Sequence, residues 1–138
     1  MKQVVCILLF SLALAFPCNA GAAGPEKDAT AAAERWLQLT DSGAAGESWE
    51  QASALFKGAV TEKYWEGTLA RVRVPLGRTL TRTLESAAYT RSLPGVPDGE
   101  YVVIRFKTSF ANKAEAVETV TPQKDKDGVW RVSGYFIQ

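Results

Sequence analysis

The spacing of apolar residues changes once along this chain, at Gly77, and that change restricts the fold more than any other feature. Before Gly77, apolar side chains recur every three or four residues, which lines them along one side of an α-helix. After it they alternate every second residue, as half-buried strands require. The clearest strand is "YVVIRFKTSF" at 101–110, where Val102, Ile104, Phe106, Thr108 and Phe110 oppose Tyr101, Val103, Arg105, Lys107 and Ser109. An earlier Thr-rich strand is expected at 78–92, with Leu80 and Leu84 on the same side as Arg78 and Arg82. "LPGVPDGE" is a long turn between these two strands. A third strand follows at 114–122, and Asp127-Gly128 makes a tight hairpin into a fourth at 129–137. There Trp130, Val132 and Phe136 alternate with Arg131, Ser133 and Tyr135, and Gly134 allows a bend or bulge.

The helical part divides into three predicted helices. The first covers 28–40, with Asp28 as N-cap and Ala29, Ala32, Ala33, Trp36 and Leu39 as its apolar side. Gly43 supplies the left-handed stop. The second covers 47–56, on Trp49, Ala52, Ser53 and Phe56. The third starts at Thr61, uses Trp65, Thr68, Leu69 and Val72, and is ended or kinked near Pro75. The expected class is α+β: three N-terminal helices packed on a curved four-stranded antiparallel sheet.

Ahead of this pattern stands a different kind of segment. Lys2 precedes a continuous apolar run from 4 to 16, Pro17 breaks it, and small residues follow in "CNAGAAG". That layout is a secretory signal peptide, expected at 1–22 with cleavage near Ala20 or Ala22. The run is too short for a bilayer span of about 20 residues. Ala15, Phe16 and Pro17 fit poorly to a lipoprotein signal at Cys18. Residues 23–138 are therefore expected to form a single exported domain, periplasmic or secreted, with no stable membrane insertion after cleavage.

Several chemistries are excluded on residue type alone. The chain has no His, and its two cysteines, Cys6 and Cys18, lie in the segment expected to be removed. Zinc and blue-copper sites thus lack their usual ligands, His-assisted nucleophiles are absent, and no disulfide can form. "DKDG" at 125–128 does not continue into a calcium loop, because Phe136 stands where the bidentate Glu would be needed. Loss of Lys2 leaves 15 basic residues against 15 acidic ones, so a nucleic-acid or anionic-membrane binder is not expected. No cofactor motif is present.

"AAERWLQLTDSG", "ESWEQASALFK", "SLPGVPDGEYVVIRFKTSFANKAEAVETVTP" and "DKDGVWRVSGYFI" together resemble a family of small exported bacterial proteins, domain of unknown function 4019. The resemblance covers about 32–137 and brings no activity with it. More distantly, the helix-rich start and the terminal "DGVWRVSGY" strand are similar to the nuclear-transport-factor-2-like superfold. This resemblance implies a cone of curved sheet and either a ketosteroid-isomerase-like enzyme or a non-catalytic binding or dimerisation module. The expected strand between the second and third helices is missing.

Candidate ligand-binding residues are Glu118, Tyr64, Arg105, Arg131 and Tyr135. Glu118 shares parity with Val120 and can face the cone interior, where desolvation would make it a proton carrier. The plainer expectation is an ion pair across the sheet with Arg105 or Arg131. Arg71, Arg73, Arg78, Arg82 and Arg91 crowd one stretch and suit an anionic ligand, or simply protect a solvated strand edge. The indoles and Tyr64 suit either a pocket wall or, more plainly, the core. Function is expected to be that of a non-enzymatic envelope module binding a small molecule or an envelope protein, with homodimerisation compatible. The alternative is an isomerase- or lyase-type enzyme using an acid inside the cone.

Overall fold

The computed structural model describes residues 24–138, so the signal-peptide expectation at 1–22 lies outside the described residues. Helices α1 (Pro25–Asp41), α2 (Ala45–Glu50), α3 (Ala54–Ala59) and α4 (Glu62–Leu76) precede strands β1 (Thr79–Thr90), β2 (Tyr101–Phe110), β3 (Lys113–Lys124) and β4 (Trp130–Ile137). The class is α+β, and the four strands form one antiparallel sheet in the order β1-β2-β3-β4.

The described chain has four helices where three were expected. Ser53 interrupts the second one. Its backbone is extended, its hydroxyl caps the Phe56 N–H at 3.1 Å, and its own N–H bonds the Val132 carbonyl at 2.9 Å. Intrahelical bonding is given up there for a tie to β4. The first helix starts earlier than expected, with Gly24 as N-cap. Pro25 follows at the first position, where a missing N–H costs nothing, and Asp28 becomes a first-turn acid instead. Thr61 caps α4 by accepting the Tyr64 N–H at 3.2 Å, and the helix runs one residue past Pro75 before Gly77, at φ 75°, turns it into β1.

All five inward residues expected on β2 are buried: Val102, Ile104, Phe106, Thr108 and Phe110. The same face takes Ala116, Glu118 and Val120 of β3. Strand β4 departs from simple alternation. Thr121 pairs with Gly134 but Pro122 with Val132, so Ser133 is an unpaired extra residue and parity inverts beyond it. Trp130 and Val132 face inward as expected. After the bulge it is Tyr135, not Phe136, that turns inward, which leaves Phe136 exposed.

Against this face the helices lay Trp36, Leu37, Phe56, Trp65 and Leu69 in one cluster. Trp36 meets Tyr135 edge-on at 5.3 Å and Trp65 at 5.8 Å, while Phe56 meets Trp65 edge-on at 5.1 Å. The indole N–H groups of Trp36 and Trp65 both have partners. Trp36 donates to the Ser48 carbonyl and Trp65 to the Ser48 hydroxyl, both at 2.8 Å. These satisfied donors let large aromatic areas be buried without an orphaned polar atom.

Candidate functional site

Six elements bring a polar network to the inner face of the sheet. Asp41 ends α1, where the helix dipole disfavours a carboxylate unless cations stand beside it. Two do. Arg73 of α4 donates to Asp41 Oδ1 at 2.9 Å, and Arg82 of β1 donates from Nη1 to Oδ2 at 2.7 Å and from Nη2 to Oδ1 at 2.9 Å. The bidentate fork fixes Arg82, and its third edge, Nε, donates to Glu118 Oε1 at 2.7 Å.

Glu118 is 0 % exposed. It accepts the Thr108 hydroxyl at 2.6 Å on Oε1 and the Tyr135 hydroxyl on Oε2. A buried carboxylate is costly unless paired and hydrogen-bonded, and this one is both. Thr40 and Thr79 complete the periphery by accepting from Arg73 at 3.2 and 3.0 Å. Arg73 is itself 8 % exposed and lies over the Phe110 ring, with its Nε buried and without a partner. Two acids and two arginines make the network neutral.

Titration follows from this arrangement. Partial burial works to raise the Asp41 pKa, but hydrogen bonds and charge from Arg82, with bonds from Arg73 and Thr79, outweigh it and hold the carboxyl below the usual aspartate value. For Arg82, burial favours the neutral form, yet Asp41 and Glu118 push the pKa upward. Burial first, and then the Glu118 charge, push the Tyr135 hydroxyl far above an ordinary phenol. All these groups hold one protonation state near neutrality. Asp41 and Arg82 stay ionised, and Tyr135 keeps its proton.

Of the five residues nominated from sequence, the fold brings together Glu118 and Tyr135. Their meeting depends on the Ser133 bulge, without which Tyr135 would face outward. The expected ion pair of Glu118 with Arg105 or Arg131 is corrected: its partner is Arg82. Arg105 lies on the opposite face of β2 and pairs with Glu85 at 3.5 Å. Arg131 clamps the β3–β4 hairpin through Asp125 at 3.0 Å and Asp127 at 2.9 Å. Its bond holds Asp127 below the usual aspartate range and helps to set the turn around Gly128 at φ 82°. Tyr64 stands on the outer side of α4, 61 % exposed. Asp41, Thr79 and Thr108 were not nominated as site residues, and Arg73 and Arg82 only as members of the basic stretch. The signal for Arg82 was present, since it shares parity with Leu80 and Leu84.

Open clefts lie elsewhere. One cleft of about 530 Å³ includes Thr81, Thr83, Lys107, Ser109, Glu115 and Val117, side chains that alternate away from the helices. Glu118 does not line this cleft. Among the described residues no cluster of three or more Asp, Glu, His or Cys is placed to hold a metal, and no helix is long and apolar enough to cross a membrane. Comparison with curated proteins and with solved structures gives no match. A family model described as "Protein of unknown function (DUF4019)" matches residues 32–135, which span α1 from its second turn through to Tyr135, and the chain belongs to that family.

Proposed function

We propose that this protein is a non-enzymatic exported module of the bacterial envelope, and that it takes a small polar ligand or the surface of an envelope protein on its outer sheet face. One observation carries the reading: the inner carboxylate, Glu118, is sealed from solvent and its two oxygens already accept from Arg82, Thr108 and Tyr135. A proton-transferring acid has to reach its substrate, directly or through one water. The ketosteroid-isomerase-like alternative therefore loses its most suitable residue. The nuclear-transport-factor-2-like resemblance accommodates binding modules as readily as enzymes.

The outer cleft has the volume of a ligand site and offers hydroxyls from Thr81, Thr83 and Ser109 with one cation, Lys107. Export rests on the apolar leader and the small residues behind it. Native mass spectrometry of protein taken from the periplasm tests the reading. A retained mass that survives Glu118→Gln and is lost with Thr83→Tyr supports it. A retained mass, or any turnover, abolished by Glu118→Gln in a folded protein overturns it.

A further inference from the structure

Among the described residues, the β4 side of the molecule ends in two unfinished layers. In the sheet, Val117 and Gln138 exchange both main-chain hydrogen bonds at 2.9 Å. Antiparallel ladders alternate such pairs with pairs that share none, so Ile137 opposite Glu118 and Tyr135 opposite Val120 are of the second kind. The N–H and C=O groups of Tyr135 and Ile137 consequently point away from β3. Further along this edge, the Val132 carbonyl is taken by Ser53, so the α2–α3 junction covers only that end of the strand. Residues 135–137 carry no charge and no proline, the usual guards of a free edge. The other edge strand, β1, is interrupted by register shifts between Thr79 and Thr81 and between Leu84 and Ser86.

The helical layer is open at the same place. Tyr64, Thr68 and Val72 stand four residues apart on α4 and form one stripe. Tyr64 is 61 % and Val72 41 % exposed. Thr68 and Val72, with Trp65, Leu69 and Phe136, line an uncharged groove of about 280 Å³ between α4 and β4, and Phe136 is 52 % exposed.

We propose that this edge is the interface of a two-fold homodimer, with β4 paired antiparallel to β4 of a second copy about Phe136 and the two α4 stripes meeting above it. The register is self-complementary. Outward groups at 135 and 137 flank 136, so Tyr135 exchanges two bonds with the partner's Ile137 and Ile137 two with the partner's Tyr135. Phe136 meets the partner's Phe136 as the close pair without hydrogen bonds. A single extended peptide would complete the sheet layer and leave Tyr64 and Val72 wet. A second copy supplies a strand and a helix at matching spacing.

The area agrees with this choice. An aromatic side chain carries about 150–250 Å², so half-exposed Tyr64 and Phe136 contribute roughly 100 Å² each. With Val72, Thr68 and the strand edge, each copy offers about 500–600 Å², so the pair buries roughly 1,000–1,200 Å², at the small end of specific interfaces. The groove lining itself is uncharged, and the nearest cation, Arg71, stands at its rim with its guanidinium donating to the Thr68 hydroxyl at 3.4 Å. Affinity in roughly the micromolar range is expected for such an interface.

Sedimentation equilibrium of the purified protein across a concentration series tests the proposal, with amide hydrogen exchange at Tyr135 and Ile137 as the local readout. Wild type is expected to show a reversible monomer–dimer equilibrium, with both amides protected only at high concentration. Val72→Lys, on the exposed helix surface, and Ile137→Pro, which removes an N–H unused within the chain, should each weaken the dimer at least tenfold while circular dichroism stays unchanged. A wild-type monomer at millimolar concentration overturns the proposal. So does a dimer indifferent to Val72→Lys with fast exchange at Tyr135, or growth beyond the dimer.

Discussion

Replacing Glu118 by Gln separates an architectural carboxylate from a functional one. The substitution keeps the shape and removes the charge that Arg82, Thr108 and Tyr135 now donate to. Hydrogen bonds to a charged group contribute about 1.5–3 kcal/mol and neutral ones about 0.5–1.5, so three weakened bonds cost roughly 3 kcal/mol. Outright loss of one partner of a buried pair costs about 3–5 kcal/mol. Arg82 keeps both bonds to Asp41, so it is not orphaned and the lower part of that span applies. The expected loss is about 2–4 kcal/mol. Urea unfolding followed by tryptophan fluorescence measures it, because Trp36 and Trp65 both pack against Tyr135 and report on the same region. A residue held in place for chemistry at the expense of stability behaves in the opposite way, and its replacement stabilises the fold. Unchanged or increased stability in Glu118→Gln would refute the reasoning and favour the acid-based enzyme over the binding module.

Other expectations follow from the same network. Tyr135 has its pKa raised in the fold, so its stabilising effect is complete below about pH 10 and is lost as pH rises further, by about 1.4 kcal/mol per unit. Tyr135→Phe should flatten that alkaline slope in pH-dependent unfolding, and an unaltered slope contradicts the burial of its hydroxyl. Asp41 has its pKa depressed, so its contribution is present above about pH 4 and disappears as pH falls through the folded value. Acid unfolding of Asp41→Asn should accordingly be shallower than that of wild type. Ser53→Ala removes the α3 cap and the hydroxyl contact to Ser133, and chemical denaturation should show a loss of about 1–2 kcal/mol.

The period change at Gly77 and the alternation of β2 were legible because both depend on local spacing alone. The three-helix expectation failed at Ser53, where a long-range bond to Val132 competes with helix continuation. No reading of "WEQASALF" contains that partner. Phe136 failed for a related reason. Gly134 announced a bulge, but its position set which of Tyr135 and Phe136 entered the core, and only the pairing with β3 fixes it. The Glu118 partner was sought on the strands flanking β3 and was found on β1, two strands away. An arginine is long enough to reach across Thr108, and Arg82 lies opposite that residue. Asp41 read as a helix stop, and its charge acquired meaning only once α4 and β1 were placed beside it.

Indoles and Glu118 serve the architecture together in an interior closed to water. Acrylamide quenching of the Trp49→Phe protein tests this most directly, since it removes the half-buried indole and keeps Trp36, Trp65 and Trp130, each buried against the sheet. The predicted result is blue-shifted emission, barely quenched in the native state and fully quenched after unfolding. Native emission quenched as readily as that of the unfolded chain would contradict it.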